Sequence, residues 1–598
     1  QVNLGHNIRS GAHYTQFMVY DFDGDGKAEM ICKTAPGSVD GRGHYVSEAA
    51  TDKTILSVNN TADLTNGFGN VLDGQEYLTV FSGLTGEALH TVFYNPNRGG
   101  YVGGAPSGSS ESFWGDGYGN RCDRFLACVG YVNGFDHRPN AVMVRGYYTH
   151  CYVWAVEFDG KELTTSWLHH SSSTSEYSVK MGKSPVKSYK NTYKTFGSGF
   201  SATAFYNGNH NISVADEDGD GKDEILLGGS TIDHDGTLLY ATGMGHGDAM
   251  HLSDLDPDRP GLEMFVVHES SPYGMSCYDA CTGEKLFHMD HGKDTGRGLA
   301  GDINESRGQE FWSSAGAYAY NAKGQRSGSK GASQCFRIYW NGDVYDEMLE
   351  GGTVLTGYGT KLAHNGMGYA CNGTKNTPNL SADLFGDWRE ELVLHDDNNL
   401  YVMSSVMPTS LRFPTLLSDH VYRMGIAWQN TCYNQPPHLG YYLPDSVKTG
   451  FEYPNGKDLN VALGDSLAEP LRVHIFGATS ANITKTIQPD KTTVGNRKAP
   501  EGMRYTYDAT MKECIISGTP KQIGTYLLIF KTSGAVTGVQ ISDTCTITVC
   551  DPSTSVHSVL PKERKTGNRE TAFFISGLPA KDDDKGIVIR NGRKTLRK

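Results

Sequence analysis

The acidic stretch DFDGDGKAE at residues 21–29 recurs almost unchanged as DEDGDGKDE at residues 216–224. Three looser copies follow: DLDPDRPGLE from 254, DINESRGQE from 302 and DLFGDWREE from 383. Apolar segments flank every copy, such as FMVY before the first and ISVA before the second. The repeating unit therefore indicates a strand, an acidic turn and a second strand.

The acidic turns are candidate calcium sites. Carboxylates two residues apart around glycine turns bring several oxygens to one point, which is the ligand set that Ca²⁺ prefers. An EF-hand is excluded because Cys32 and Leu227 occupy loop position twelve, where that motif needs Glu. A hairpin that uses Asp and Gly only for turn geometry is the alternative for each copy. The expected ligands are Asp21, Asp23, Asp25, Glu29, Asp216, Asp218, Asp220, Glu224, Asp254, Asp256, Asp258, Glu263, Asp302, Asn304, Glu310, Asp383, Asp387 and Glu391.

The spacing of the turns predicts an all-β propeller. The first Asp residues of the last four copies stand at 216, 254, 302 and 383, which are 38, 48 and 81 residues apart. Steps of about 40 to 50 residues are typical of four-stranded propeller blades. The segments YLTVFSG, RFLACVGYV, NAVMVRGYYT and CYVWAVEF between residues 29 and 216 are enough for about three more blades. We therefore predict a propeller over residues 1–445.

The remainder of the chain differs in character. Residues 467–550 alternate like strands around an SGTP turn, which predicts a small immunoglobulin-like β-sandwich. Residues 446–466 are expected to be a linker, and residues 551–598 a loosely ordered or separately docked tail.

Composition excludes several classes of protein. The net charge of −14 disfavours nucleic acid as a partner, and no apolar run approaches the ~18 residues of a membrane span. No phosphate loop, dinucleotide-binding or hydrolase signature is present, so the motifs do not support cofactor chemistry. The 12 cysteines show no zinc-ligand spacing.

Polar clusters precede the first strand of each repeating unit. They are GAHYTQ from 11, GNHN from 208, GHGDAMH from 245, TGRG from 295 and NGTKNTPN from 372. If the units are equivalent, these clusters meet on one rim, opposite the acidic turns. For any single histidine, an ordinary rim or core hydrogen bond is the alternative. The residues expected to converge are His13, His210, His246, Asp248, Arg297 and Lys375; His246, Asp248 and His251 could instead hold a metal or form a hydrogen-bonded turn.

Six blocks in order resemble rhamnogalacturonan lyases of polysaccharide lyase family 11. They are GAHYTQFMVYDFDGDGKAE, WGDGYGNRCDRFLACVGY, GNHNISVADEDGDGKDEI, GHGDAMHLSDLDPDRPGLE, NGTKNTPNLSADLFGDWREE and RMGIAWQNTCYNQPPHLGYYL. The resemblance covers about residues 1–445. It implies an eight-bladed calcium-binding propeller that cuts rhamnogalacturonan I by β-elimination at the rhamnose–galacturonate bond.

The resemblance also implies site residues. The cleft segment of the family corresponds to Asn372, Gly373, Thr374 and Lys375, and its tyrosine to Tyr433. The family's cleft arginine corresponds to Arg297, and an early asparagine to Asn7. We expect Lys375 to act as base, with Tyr433 as acid or partner, and His13, His210 and His246 to bind substrate. A noncatalytic calcium-stabilised propeller that binds carbohydrate or protein, and a hydrolase with paired carboxylates, are the alternatives.

The family pattern also places about a hundred residues and a signal peptide before the block that starts here at Leu4. We therefore expect a secreted or cell-surface protein, an N-terminally truncated propeller lacking a blade or more, and several bound Ca²⁺ ions. The expected partner is an acidic plant cell-wall polysaccharide, and a monomer is favoured. The end of the chain resembles, more weakly, the sorting tails of type IX secretion substrates.

Overall fold

The computed structural model describes residues 1–100, 108, 111–171, 203–373, 375–495, 498–535 and 539–551, together with four short strands after residue 571. Antiparallel β-sheets dominate the described residues, which confirms the all-β prediction. The three α-helices in these ranges are short: α1 (Lys53–Leu56), α2 (Glu111–Trp114) and α3 (His420–Trp428). Single 3-10 turns lie at Val46–Ala49, Leu416–Ser418 and Leu443–Ser446. No described helix is both long and apolar enough to cross a bilayer.

Seven antiparallel sheets follow one another along the chain, each with its strands in sequence order. Sheet 1 contains β1 (Phe17–Tyr20), β2 (Glu29–Thr34), β3 (Tyr77–Ser82) and β4 (Ala88–Phe93); sheet 2 contains β5 (Phe125–Gly130), β6 (Asn140–Arg145), β7 (Tyr152–Phe158) and β8 (Leu163–His170); sheet 3 contains β9 (Gly208–Ala215), β10 (Glu224–Gly228), β11 (Ser230–Ile232) and β12 (Leu238–Ala241). Sheet 4 contains β13 (Met250–Ser253), β14 (Glu263–His268), β15 (Gly274–Asp279) and β16 (Lys285–Met289); sheet 5 contains β17 (Gly298–Gly301), β18 (Glu310–Ser313), β19 (Tyr318–Tyr320) and β20 (Arg326–Ser329). Sheet 6 contains β21 (Arg337–Ile338), β22 (Glu347–Glu350), β23 (Thr353–Leu355) and β24 (Lys361–His364), and the three-stranded sheet 7 contains β25 (Leu380–Ala382), β26 (Glu391–His395) and β27 (Leu400–Met403).

The number of sheets between residues 29 and 216 differs from the expectation of about three additional blades. YLTVFS is β3 of sheet 1, and the other three segments all belong to sheet 2. The difference arises because a long insertion, residues 35–76, separates β2 from β3 within one sheet. Spacing along the chain therefore overestimates the number of sheets in this region.

The acidic turns share one backbone geometry. In six of the seven sheets the second strand begins with a glutamate that pairs with the last residue of the first strand, as Tyr20 does with Glu29. Each glutamate accepts a hydrogen bond from a backbone N–H of the turn; Phe22 donates to Glu29 over 3.0 Å. Since a buried carboxylate needs donors, this bond stabilises the turn. In sheet 2 Asn140 stands at this position, opposite Gly130.

Residues 419–442, here called the central segment, connect the sheets. Helix α3, capped by Asp419, contacts the first strands β1, β5, β9 and β25. The rest of the segment bonds to first strands directly: Thr431 donates to the Ala127 carbonyl over 3.0 Å, and Gln435 accepts from Met250 N–H over 3.2 Å. First strands of successive sheets also touch one another, from β1 through β17. The central segment and the first strands thus form the common core.

Two further sheets follow and share one buried core. One contains β28 (Gly450–Glu452), β30 (Leu471–Phe476), β33 (Met503–Asp508) and β34 (Glu513–Gly518); the other contains β29 (Asp458–Ala462), β31 (Ala478–Ile487), β32 (Thr493–Val494), β35 (Gly524–Ala535) and β36 (Ser542–Cys550). The expected linker 446–466 therefore holds β28 and β29. In the tail, β37 (Ala572–Phe574), β38 (Pro579–Ala580), β39 (Gly586–Arg590) and β40 (Arg593–Arg597) pair as a small sheet.

Buried charges join sheets 1 and 2. The Glu76 carboxylate lies 3.0 Å from Lys33 Nζ, 3.0 Å from Arg98 Nη2 and 2.7 Å from Arg145 Nη1, and all four side chains are at most 2% exposed. Burial alone would raise the pKa of Glu76, but the three cations hold it far below its usual range. The negative charge of Glu76 thus offsets the desolvation cost of burying these three cations.

We expect Glu76→Gln to destabilise the protein by about 3–5 kcal/mol, because it leaves three buried cations short of a counter-charge. Chemical denaturation monitored by tryptophan fluorescence measures this. The matched control is Glu87→Gln, since Glu87 pairs with Arg42 on the surface of the same sheet and both side chains are about half exposed. The control should change stability by less than ~1 kcal/mol. Equal losses in the two variants would contradict the role assigned to Glu76.

Candidate functional site

The polar clusters and the acidic turns lie at opposite ends of the same strands. The clusters containing His13 and Arg297 precede β1 and β17, whereas the acidic turns follow these strands. Because the first strands are neighbours, the clusters converge on one end of the assembly. The central segment adds Tyr433 at this end. Tyr433 belongs to none of the repeated clusters, so the repeat pattern alone does not predict its position.

Tyr433 is the centre of this group. Lys375 Nζ lies 4.6 Å and Arg297 Cζ lies 5.5 Å from the centroid of its ring. The rings of His210 and His13 lie 4.4 and 4.8 Å from it. The structure thus brings together side chains that are widely separated in the chain, and two of them are cations.

The two cations lie in different environments. Arg297 is only 5% exposed, and its Nη1 donates to the Asp248 carbonyl over 3.4 Å. Its Nε and Nη2 are buried and have no hydrogen-bond partner among the described residues. Burial, and then the charge of Arg297, lowers the pKa of Lys375. The site therefore offers free guanidinium donors beside an amine that loses its proton more readily than usual.

The histidines form a second layer around Tyr433. His210 Nδ1 lies 3.0 Å from the Tyr147 hydroxyl and 3.3 Å from Cys432 Sγ, while its Nε2 lies 3.3 Å from Asp248 Oδ1. Burial lowers the pKa of His13 and His246 to about 3 and that of His210 well below its usual value. These rings are neutral at pH 7 and act through hydrogen bonds. Two groups of side chains have ligand atoms close enough together to hold a metal ion: His13, His210 and Cys432 form one, and His210, His246 and Asp248 form the other.

Some expected site residues lie elsewhere. Asn7 is fully buried, and its amide donates to the carbonyls of Pro36 and Ala62 and accepts from Leu64 N–H, so it stabilises the insertion in sheet 1. His251 bonds His438 and does not join His246. Asn372 and Gly373 lie next to Lys375, with Gly373 exposed; Thr374 is outside the described residues.

Three carboxylates in each of the first two acidic turns form compact groups. The ligand atoms of Asp21, Asp23 and Glu29 lie within 4.8 Å of one another, as do those of Asp216, Asp218 and Glu224. Burial, and then the charges of Asp346 and Glu310, raises the pKa of Asp302 to about 9. Six of the expected ligands have buried oxygens without a hydrogen-bond partner among the described residues: Glu224, Asp254, Asp256, Asp302, Glu310 and Asp383. This donor chemistry fits a hard cation.

Not every expected ligand belongs to these groups. Asp25 bonds Lys27 over 2.7 Å, Asp258 pairs with Arg307, and Asp387 pairs with Arg389. Asp220 pairs with Lys222 but also lies in a three-ligand group with Glu224 and His234. The i+4 acid of these turns therefore pairs with a Lys or Arg, which either stands two residues further on, as Lys27 and Arg389 do, or comes from another turn, as Arg307 does. That side chain lies nearer the surface, where Lys or Arg can reach it.

A sixth acidic turn was missed by the sequence reading. Trp340 and Asn341 N–H both donate to Glu347 over 2.9 Å, and Asp343 lies in the same turn. Tyr339 replaces the first Asp, so the Asp pattern fails. Glu347 still stands eight residues after Tyr339. In four of the five recognised copies the glutamate likewise stands eight residues after the first Asp.

Comparison with known proteins shows the family to which the chain belongs. The model of "Rhamnogalacturonan lyase family 11, C-terminal domain" matches residues 1–452. The chain belongs to rhamnogalacturonan lyase family 11. The rhamnogalacturonan endolyase YesW of Bacillus subtilis (strain 168) is 45% identical to this family member over 458 residues, which are 75% of the chain and 66% of YesW. The rhamnogalacturonan exolyase YesX of the same strain is 45% identical over 474 residues, covering 75% of the chain and 70% of YesX.

Solved structures of family 11 lyases have the same fold. A rhamnogalacturonan lyase from Bacillus licheniformis superposes with a TM-score of 0.64 and 44% identity, covering 75% of this chain and 70% of that one. The exotype lyase YesX superposes with a TM-score of 0.63 and 42% identity, covering 75% and 71%. This family member spans about two thirds of the length of the relatives it matches.

Burial raises the pKa of Asp248 to about 7, although the charge of Lys375 opposes the shift. The folded family 11 chain therefore holds this proton more tightly than the unfolded chain, whose Asp pKa is about 3.9. Stability is lost as pH rises through the range from about 4 to 7, and Asp248→Asn removes that loss. We expect the melting temperature of Asp248→Asn, relative to wild type, to be higher at pH 8 than at pH 5.

Differential scanning fluorimetry at the two pH values tests this. Asp397→Asn, in the exposed turn between β26 and β27, is the control and should show the same difference from wild type at both pH values. A pH-independent difference for Asp248→Asn would contradict the role of burial at this carboxyl group.

Proposed function

We propose that this family 11 member cleaves rhamnogalacturonan I by β-elimination at the rhamnose–galacturonate bond and leaves an unsaturated galacturonate. The observation that carries the proposal is the pair of cations, Arg297 and Lys375, held against the Tyr433 ring. Substrate and reaction type are in keeping with the names of the relatives, which are rhamnogalacturonan lyases.

β-Elimination on a uronate needs three groups. One must neutralise the C6 carboxylate so that the C5 proton becomes acidic, one must remove that proton, and one must protonate the departing O4. Arg297 suits the first role, because its Nε and Nη2 lack partners among the described residues and a guanidinium fork matches a carboxylate. The chain has a net charge of −14, so local cations must offset its repulsion of an acidic polymer.

Lys375 suits the second role and Tyr433 the third. The lowered pKa of Lys375 increases the fraction of free amine near neutral pH. Burial, and then the charge of Asp248, raises the pKa of Tyr433, so its hydroxyl stays protonated and can donate but not abstract a proton. The neighbouring Asn372 and Gly373, and Thr374 outside the described residues, are proposed to bind the sugar together with His13, His210 and His246.

We further propose that the seven sheets are blades of a calcium-stabilised propeller. Sequential four-stranded sheets whose first strands touch in order support this arrangement. Asp21, Asp23 and Glu29, with the corresponding acids of the other turns, would hold Ca²⁺, whose charge would offset carboxylate repulsion. We also propose that the sandwich after residue 450 is immunoglobulin-like, and that the protein acts as a monomer outside the cell, where its polymeric substrate is found.

Incubation with rhamnogalacturonan I while following ultraviolet absorbance tests the reaction, since β-elimination forms a conjugated C4=C5 double bond. A hydrolase would release reducing ends without this absorbance, and a noncatalytic propeller would give neither signal. Either result would overturn the proposal.

Lys375→Met and Tyr433→Phe should each lower the rate of absorbance increase by at least ~100-fold, the usual scale of general acid or base loss. Melting temperatures should stay close to that of the wild type. Lys361→Met, on the exposed strand β24, is the matched control and should retain full activity. Near-normal turnover in Lys375→Met would remove Lys375 as the base.

Removal of calcium should lower the melting temperature and abolish cleavage, because ligand binding to the folded state stabilises it by mass action. Readdition of Ca²⁺ should restore both properties better than Mg²⁺, which tolerates such flexible oxygen sites less well. Asp216→Ala should lower the melting temperature, whereas Asp397→Ala in an ordinary turn should not. An unchanged melting curve in excess chelator would contradict the calcium proposal.

A further inference from the structure

A second pair of cations lies beside the site and has no role in the chemistry above. Arg124 immediately precedes β5, and its Cζ lies 5.7 Å from the centroid of the Tyr14 ring and 5.5 Å from that of Tyr148. Arg121 Cζ lies 5.4 Å from the Tyr148 ring. We call Arg121, Arg124, Tyr14 and Tyr148 the Arg124 pocket. Stacking on aromatic faces holds a guanidinium in place without using its hydrogen-bond donors.

Arg124 has no counter-charge within ion-pair distance. Its Nε and Nη1 are buried without a hydrogen-bond partner, and no carboxylate of the described residues lies within 4.0 Å of it. Arg145 in the same sheet is buried as well, but it pairs with both Glu76 and Asp123. Leaving a largely buried guanidinium unpaired is costly, so Arg124 differs from a structural arginine. Such a group is prepared for an anionic ligand.

The Arg124 pocket is continuous with the proposed catalytic site. The Tyr148 hydroxyl lies 2.8 Å from His210 Nε2, and the rings of these two residues are 5.4 Å apart. The His210 ring is in turn 4.4 Å from the Tyr433 ring, on which Arg297 lies. The Tyr148 ring, which Arg124 contacts, is therefore connected through the His210 ring to the Tyr433 ring, which Arg297 contacts.

The proposed substrate offers a second carboxylate further along its chain. In a polymer of alternating rhamnose and galacturonate, carboxylates recur at every second sugar, so one rhamnose ring lies between neighbouring galacturonates. We propose that Arg124 binds the carboxylate of a second galacturonate, one repeat along the chain from the galacturonate held by Arg297. This inference rests on the proposed function and extends it from one uronate to two.

The chemistry of the pocket favours a uronate over a neutral sugar. The Arg124 fork can donate two parallel hydrogen bonds to a carboxylate, and charge-assisted bonds of this kind are the strong ones. Glu269, whose charge acts on Arg121 and Arg124, lies 3.4 Å from His246 Nε2 and forms no ion pair with Arg124.

Isothermal titration calorimetry with purified oligosaccharides of one and of two rhamnose–galacturonate repeats tests the inference. All proteins carry Lys375→Met to stop turnover. The parent should bind two repeats more tightly than one. Arg124→Gln should weaken binding of two repeats by at least about 10-fold and leave binding of one repeat nearly unchanged. Arg297→Gln should weaken the binding of both oligosaccharides.

Arg138→Gln is the matched control. Arg138 lies in the connection between β5 and β6, at the opposite end of the strands of the same sheet, pairs with Glu157 and has a side chain that is 42% exposed, so its loss removes the same charge away from the site. The control should bind both oligosaccharides like the parent. Arg124→Lys, which keeps the charge but loses the planar fork, should fall between the parent and Arg124→Gln for two repeats.

Three outcomes would overturn the inference: equal parent affinity for one and two repeats, unchanged two-repeat affinity in Arg124→Gln, or equal losses for both ligands accompanied by a lower melting temperature. The last outcome would make Arg124 structural. Failure of the parent to bind either ligand would overturn this inference and the proposed function together. Two-repeat binding that depends on Arg124, with no ultraviolet product from the protein that retains Lys375, would overturn only the proposed function.

Discussion

The hydrogen bonds between the central segment and the first strands are the interactions on which the site depends. Residues 419–442 carry Tyr433, and on either side of it Thr431 bonds the carbonyl of Ala127 and Gln435 bonds the N–H of Met250. These bonds are buried, so each one that failed would leave an unpaired polar group. Tyr433 is thereby held against Arg297 and Lys375, which come from sheets that the chain does not otherwise connect directly.

The first strands separate two opposite electrostatic environments. Their carboxyl-terminal ends lead into acidic turns, where Glu29 and its equivalents accept backbone hydrogen bonds. Their amino-terminal ends bring together Arg297, Lys375 and, beside them, Arg124. A protein with a net charge of −14 thus concentrates cations at one end of the strands, and two of them, Arg124 and Arg297, have buried nitrogens without a partner among the described residues. This separation supports both proposals: metal stabilisation at the acidic end and recognition of an acidic polymer at the other.

Sequence reasoning was accurate where the chemistry is local and repeated. The acidic turns and the polar clusters are encoded within about ten residues each, so their residue types and spacing survive in the sequence. It was less accurate where tertiary contacts decide. Asn7 resembled a cleft residue, yet its amide bonds the insertion of sheet 1. The sixth turn was not predicted because Tyr339 stands in the place of the first Asp, although Glu347 has the same spacing as the glutamates of the other turns.

The sequence by itself determined the all-β fold, the acidic turns and the residues before each first strand, because hydrophobic alternation and turn chemistry act over a few residues. Only the tertiary structure decided which of these side chains meet, since the distances between them depend on how sheets pack around the central segment. Burial likewise depends on packing, and burial lowers the pKa of Lys375 and raises that of Asp248 to about 7. That Arg124 Nε and Nη1 are buried without a partner among the described residues is a three-dimensional fact of the same kind.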